Sequence, residues 1–237
     1  MPAGAVTFDA GQTLVELDTA MLAARLAERG LDVAAAALDA AWPAAWRHHE
    51  AEVGRGARHP WRQLMAALLA GAGVPAAALD ATVAWLWDQQ ATRNLWRRDV
   101  PGMRALVADL AAAGVPLAVV SNSEGHLAAL LAELGWARWF VAIADSGVLG
   151  VAKPDPGIFA WAGARLGVAA DAIVHVGDSR AADVVGARAA GLRAIWFGAD
   201  ATPLDDPGVV AARDAAATRA ALAAWGLPCG APGDPGR

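Results

Sequence analysis

Beyond residue 101, short apolar runs alternate with longer segments of helical periodicity, and this alternation limits the fold more than any other feature of the sequence. Strands are predicted for 116–120, 139–144, 172–176 and 193–197, and helices for 103–113, 124–134, 156–166 and 179–190. Strands that alternate with helices favour a parallel sheet that is covered on both faces. The sequence therefore predicts an α/β fold with a Rossmann-like three-layer core.

The segment between the first strand and this alternation has a different character. Residues 5–8 are an apolar run that stops at Asp9 and predicts a buried strand. Helices are then predicted for 18–29, 33–52 (kinked or split at Pro43), 60–71 and 75–94. We expect an α/β core of residues 1–15 and 97–237, interrupted after its first strand by an all-helical insert of residues 16–96.

The end of the chain is predicted to form one more helix, followed by a tail. A last helix is predicted for 207–225. The Pro- and Gly-rich tail that follows, residues 227–237, is expected to be disordered.

Composition excludes several classes of protein. The chain has 237 residues, a formal net charge of −5 and a single cysteine, Cys229, so an internal disulfide is impossible. No Cys/His cluster has the spacing of zinc ligands, which favours a reducing, cytoplasmic setting. No strongly apolar stretch approaches the ~20 residues of a membrane helix, and an acidic chain without a basic run argues against a nucleic-acid surface. We expect a soluble enzyme or binding protein, monomeric or homodimeric, with no membrane or nucleic-acid partner.

Polar side chains follow the predicted strands where a parallel sheet binds its ligands, beyond the carboxyl ends. Asp9 follows the first strand, Ser121 the second, and Asp178 the strand at 172–176. The chain uses lysine once, at Lys153, in a loop just ahead of a helix. Asp183 stands one turn into the helix that follows Asp178.

This set of side chains suits phosphoryl transfer. Neighbouring carboxylates repel one another unless a cation joins them, and Mg²⁺ prefers oxygen ligands and often shares its site with a substrate phosphate. A phosphate also needs a positive side chain and hydroxyl donors, which Lys153 and Ser121 supply. Asp9 is a candidate covalent nucleophile. His175, in contrast, falls inside a predicted strand and is expected to be a satisfied core residue.

At this point the sequence resembles the haloacid dehalogenase superfamily over nearly its whole length. The matching segments, in order, are Phe8-Asp9-Ala10-Gly11-Gln12-Thr13-Leu14, Val120-Ser121-Asn122, Lys153-Pro154-Asp155-Pro156, and Gly177-Asp178 with Asp183. The helical insert resembles the small helical cap of that superfamily's phosphatases. One such segment is a weak signal, whereas four in order are a strong one.

The resemblance implies a role for each position. Asp9 would attack phosphorus, form an aspartyl-phosphate and also touch Mg²⁺. Metal ligands would further include the Gly11 backbone carbonyl, Asp178 and, directly or through water, Asp183. The phosphoryl oxygens would be held by Ser121 and Lys153, and Asn122 would order its loop and contact the substrate. The implied substrate is a small phosphorylated metabolite.

One position departs from the superfamily's phosphatases, which usually have a second Asp two residues after the nucleophile. That Asp protonates the leaving group, and this chain has Gly11 in its place. Loss of a general acid typically costs ~10²–10⁴ in rate, so alkyl phosphates should suffer more than acyl or aryl phosphates. Gln12, Glu16 or a residue of the insert could substitute. Two alternatives stay open: a 2-haloacid dehalogenase, which attacks carbon without a metal, and a phosphate-binding protein with little or no turnover.

Overall fold

A computed structural model describes residues 3–199 and 205–229. The chain divides into two compact units. The core unit contains the residues up to Glu16 and those from Asp99 onward, and the helical unit is Leu17–Arg98. No helix in the two described ranges is both long and apolar enough to cross a membrane.

The described residues contain eight strands: β1 Ala5–Phe8, β2 Val15–Leu17, β3 Trp96–Asp99, β4 Leu117–Ser121, β5 Ala142–Asp145, β6 Ile173–Gly177, β7 Arg193–Phe197 and β8 Val209–Ala212. Six of them form one sheet in the order β5-β4-β1-β6-β7-β8. All neighbouring strands of that sheet are parallel. β2 and β3 pair in a separate two-stranded ribbon at the boundary between the units. The predicted parallel α/β sheet is thus confirmed.

Burial explains why the central strands are uninterrupted apolar runs. Every residue of β1, β4 and β6 is buried, as expected of parallel strands that are covered on both faces. β1 is an inner strand of the sheet, with β4 and β5 on one side of it and β6, β7 and β8 on the other. The register pairs Phe8 with Val176 and Ser121 with Asp145. The ends of β1, β4 and β6 therefore lie side by side.

Ten α-helices lie within the described ranges: α1 Thr19–Glu28, α2 Ala35–Gly54, α3 Trp61–Gly71, α4 Ala76–Asp88, α5 Met103–Ala112, α6 Leu127–Glu133, α7 Ser146–Leu149, α8 Pro156–Leu166, α9 Val185–Ala189 and α10 Ala215–Ala224. α8 buries Phe159 and Ala162 against Val120 of β4 and Ile173 of β6 in the core of the sheet.

The helical unit, α1 to α4, has its own apolar core. Leu22 and Leu26 of α1 pack with Leu64 and Leu68 of α3. Arg25 is fully buried there; its guanidinium donates to the Arg93 carbonyl at 2.7 Å and to Gln89 Oε1 at 2.9 Å. The predicted helical insert is confirmed, and α2 is one helix through Pro43 rather than two.

Three predictions about secondary structure are wrong. The helix predicted for 207–225 is instead β8 followed by α10, because Val209 and Val210 extend the sheet beside β7 and Asp214 caps the helix. The helix predicted to end at Asn94 stops at Asp88, because the chain then enters β3. The segment 179–190 begins with a π-helical turn, Arg180–Val184, before α9.

The structure describes the predicted tail, residues 227–237, only as far as Cys229. Leu227 and Cys229 have buried side chains, and residues 230–237 lie outside the described part of the chain.

Candidate active site

Three neighbouring strands of the core sheet deliver the candidate residues to one edge. Asp9 follows β1, Ser121 ends β4, and Asp178 follows β6. β1 lies between β4 and β6, and the chain reverses its direction of growth at β1, which is where open α/β sheets bind ligands. The structure thus places these three positions at one edge of the sheet.

Lys153 lies between two carboxylates at this edge. Its Nζ is 2.7 Å from Asp9 Oδ1 and 2.5 Å from Asp183 Oδ1, and the residue is 2% exposed. Burial lowers the pKa of Lys153, but the charges of Asp183 and Asp9 outweigh burial and raise that pKa above its ordinary value. The ammonium group therefore stays charged and holds the two carboxylates together.

Both carboxylate oxygens of Asp183 have hydrogen-bond partners besides Lys153. The backbone N–H of Ser179 donates to Asp183 Oδ2 at 2.9 Å, and His175 Nε2 lies 3.0 Å from Oδ1. Burial raises the pKa of Asp183, yet Lys153 and the hydrogen bond from His175 outweigh it and keep that pKa well below its ordinary range. A Cβ at Gly177 would overlap the carboxyl group of Asp183 and lie 2.5 Å from its Oδ2. Glycine at 177 is therefore what lets the carboxylate fold back against β6.

The third carboxylate, Asp178, completes an acidic cluster. Asp9, Asp178 and Asp183 each offer one oxygen, and these atoms lie within 4.8 Å of one another. The hydroxyl of Thr13 donates to Asp178 Oδ1 at 3.3 Å. Three carboxylates carry more negative charge than Lys153 can balance, and an all-oxygen donor set of this size suits a hard divalent cation such as Mg²⁺. The residues present fit such an ion.

The loop that carries Lys153 is fixed by Asn122. The Asn122 side chain donates to the Lys153 carbonyl at 3.0 Å and accepts from the Lys153 N–H at 2.8 Å. Ser121, the preceding residue, is buried at the end of β4. Asn122 thus ties the lysine loop to the end of the strand that presents Ser121.

Comparisons with known proteins show the family of this chain. The family model for haloacid dehalogenase-like hydrolases matches residues 3–191 of the sequence. The chain belongs to this family.

Solved structures of family members cover almost the whole chain. A 2-haloacid dehalogenase from Pseudomonas syringae is 26% identical and has a TM-score of 0.60, covering 94% of this chain and 99% of that one. A family hydrolase from Deinococcus radiodurans with bound phosphate and sodium is 25% identical, with a TM-score of 0.62 over 97% and 99% of the two chains.

Curated relatives match over shorter segments. A phosphoserine phosphatase from Thermus thermophilus is 42% identical over 71 residues, which is 30% of this chain and 28% of that protein. The haloacid dehalogenase-like hydrolase domain-containing protein 3 of Danio rerio is 43% identical over 75 residues, or 32% and 31% of the two chains. The matched segments thus span less than a third of these relatives.

Two residues near the candidate site, His175 and Asp145, make contacts that were not predicted from the sequence. His175 is a satisfied core residue, as expected, but its partners are Asp183 and, at 2.9 Å from Nδ1, the Thr7 hydroxyl. Asp145, at the end of β5, accepts hydrogen bonds from the backbone N–H groups of Gly125, Leu127 and Gly147. The alternation of residues along β6, which puts 175 and 177 on one face, was the available signal for His175. Asp145 carried no comparable signal.

Proposed function

We propose that this family member is a Mg²⁺-dependent phosphatase that forms a phospho-aspartate on Asp9. The observation that carries the proposal is the pair of contacts from Lys153 Nζ to Asp9 and Asp183 inside a cluster of three carboxylates. A lysine whose Nζ is 2.7 Å from the nucleophilic carboxylate positions that carboxylate and also meets the phosphoryl oxygens that approach it.

The first step transfers the phosphoryl group to the protein. An Asp9 oxygen attacks phosphorus, the bond from phosphorus to the leaving oxygen breaks, and that oxygen departs with the electron pair. In the second step water attacks phosphorus and the bond between phosphorus and the Asp9 oxygen breaks. Inorganic phosphate leaves with the protons of the water, and the Asp9 carboxylate is regenerated. Lys153 balances charge in both steps, and Ser121 donates a hydrogen bond to a phosphoryl oxygen.

Asp9, Asp178, Asp183 and the Gly11 carbonyl would hold the metal ion. When bound, Mg²⁺ neutralises charge on the phosphoryl oxygens and orients the phosphate. Asp183 accepts hydrogen bonds from Ser179 and His175, and these fix the direction of its oxygens before any ion arrives.

A phosphatase is favoured over a dehalogenase because of the acidic cluster. Attack on carbon in a haloacid needs one carboxylate, whereas this site has three with oxygens within 4.8 Å of one another. The local match to a phosphoserine phosphatase and the neighbour with bound phosphate support the same choice. The 26% identical 2-haloacid dehalogenase keeps dehalogenation as the second candidate.

Gly11 narrows the substrate class. With no carboxyl group two residues after Asp9, the leaving oxygen has no general acid at that position. We therefore propose that the substrate is a small metabolite with a good leaving group, an acyl or aryl phosphate rather than a sugar phosphate. We also propose that the protein is a cytoplasmic monomer or homodimer.

The test is release of phosphate from 4-nitrophenyl phosphate, measured with Mg²⁺ and with EDTA, for the wild type and Asp9→Asn. The expected result is turnover by the wild type with Mg²⁺ and a loss of at least ~10³-fold in Asp9→Asn. Equal rates in the two proteins would sink the covalent mechanism. Chloride release from 2-chloropropionate without metal would instead identify a dehalogenase, and thermal stabilisation by Mg²⁺ and phosphate without turnover would identify a binding protein.

A further inference from the structure

Gln12 adopts a backbone conformation that disfavours its side chain. It has φ of 56° and is the one non-glycine residue at positive φ in residues 3–199 and 205–229. Residues with a Cβ avoid this left-handed region, so it is sparsely populated outside glycine, asparagine and aspartate. A hydrogen bond from the Gln12 N–H to the Val15 carbonyl, at 2.7 Å, holds the residue in this conformation.

The side chain of Gln12 shows a second, independent cost. Its Nε2 is shielded from solvent, and no hydrogen-bond partner for it exists among the described residues. A buried donor without a partner is destabilising. A chain that keeps both a strained backbone and an unsatisfied donor at one residue has a site where a ligand is expected to supply the missing acceptor.

Gln12 belongs to the turn that directly follows the candidate nucleophile. It is three residues after Asp9 and one before Thr13, whose hydroxyl donates to Asp178. The turn is closed by hydrogen bonds from the Leu14 and Val15 N–H groups to the Ala10 carbonyl. Gln12 is therefore bracketed by the nucleophile on one side and a contact of the acidic cluster on the other.

We propose that the Gln12 amide donates a hydrogen bond to the leaving-group oxygen of the substrate. This inference rests on the proposed phosphatase function. Lys153 already serves the oxygens beside Asp9, and in-line attack places the leaving oxygen on the far side of phosphorus. An amide cannot give up a proton as an acid does, but it stabilises the negative charge that develops on a departing oxygen. The substrate class is thereby a phosphate ester or anhydride whose leaving group departs as an anion.

The test uses two variants that separate the donor from the strain. Gln12→Met keeps the length of the side chain and the positive φ but removes the donor, whereas Gln12→Gly removes both the side chain and the strain. Each is compared with the wild type on a series of aryl phosphates whose phenols differ in pKa, with Mg²⁺ present. Melting temperatures are measured with EDTA.

The expected result is a steeper dependence of kcat/KM on leaving-group pKa in both variants. The loss should be about tenfold for the most basic phenol, the worth of one hydrogen bond to an oxygen that carries partial negative charge, and smaller for the most acidic. Neither variant should melt below the wild type, and Gln12→Gly should melt about 2–4 °C above it.

An unchanged slope in both variants, or a fall in melting temperature that accompanies the loss of activity, would overturn the role of Gln12. The proposed function fails separately: in that case the wild type itself releases no phosphate from any member of the series.

Discussion

Replacement of Lys153 by methionine tests how the candidate site is held together. Methionine keeps the length of the side chain but leaves Asp9 and Asp183 without the cation that lies 2.7 and 2.5 Å from them. Removal of one partner from a buried ion pair typically costs about 3–5 kcal/mol, because the remaining charge is uncompensated. In a chain of this size that corresponds to a fall in melting temperature of roughly 6–20 °C.

Magnesium should reverse part of this loss. Without the lysine charge the three carboxylates repel one another more strongly, so a divalent cation gains more by binding to them. We expect Mg²⁺ to raise the melting temperature of Lys153→Met by more than that of the wild type, even though the variant has no activity. The assay is thermal unfolding followed by circular dichroism, with EDTA and with a series of Mg²⁺ concentrations.

Lys153→Arg is the matched control, because it keeps the charge and changes only its shape. The planar guanidinium does not occupy the point between two carboxylates that an ammonium group occupies, so this variant should lose activity with less loss of stability than Lys153→Met. A loss below about 1 kcal/mol in Lys153→Met, or an equal response of variant and wild type to Mg²⁺, would refute the reasoning.

Three further predictions concern other parts of the molecule. Burial, with the charges of His59 and His48, lowers the pKa of His49 to about 4. Between pH 6.5 and 4 the unfolded chain therefore binds a proton more readily than the folded chain does. The free energy of unfolding falls as the pH falls through that window. His49→Phe should remove up to ~3 kcal/mol of this pH dependence in urea titrations, and an unchanged slope between the two proteins would contradict it. Gly177→Ala should destabilise the core unit by about 1–3 kcal/mol and abolish Mg²⁺-dependent turnover, because its Cβ overlaps the Asp183 carboxyl group; wild-type kinetics would show that β6 absorbs a methyl group. Asn122→Ala should lower kcat by about tenfold or more with a smaller change in KM, since it frees the lysine loop while leaving Ser121 in place, and an effect on KM alone would indicate a role in binding only.

The strands of the core sheet could be predicted where a polar residue ends an apolar run. Asp9, Ser121 and Asp178 stand where strands stop, so the same residues that mark the strand ends also mark the candidate site. The parallel sheet follows from alternation, which depends on local sequence. These features need no knowledge of distant contacts.

The errors arise where local sequence is ambiguous or where distant contacts decide. Residues 209–212 are two valines followed by two alanines, a run that suits a helix as well as a strand, and pairing with β7 settles the matter. β2 has three residues and β3 has four, too few for a periodic pattern. The contact of His175 with Asp183 depends on the return of the chain after β6, which no periodicity encodes.

The two-stranded ribbon of β2 and β3 has a consequence for how the chain varies. Because these strands pair, the two ends of the helical unit, near Leu17 and Trp96, are neighbours in space. With respect to the core unit, Leu17–Arg98 is thus a long insertion whose two ends lie close together. The entropic cost of such an insertion grows only logarithmically, by about 0.6 kcal/mol for each doubling of its length. The helical unit can therefore be lengthened, shortened or exchanged while Asp9, Lys153 and Asp183 of the core unit stay where they are.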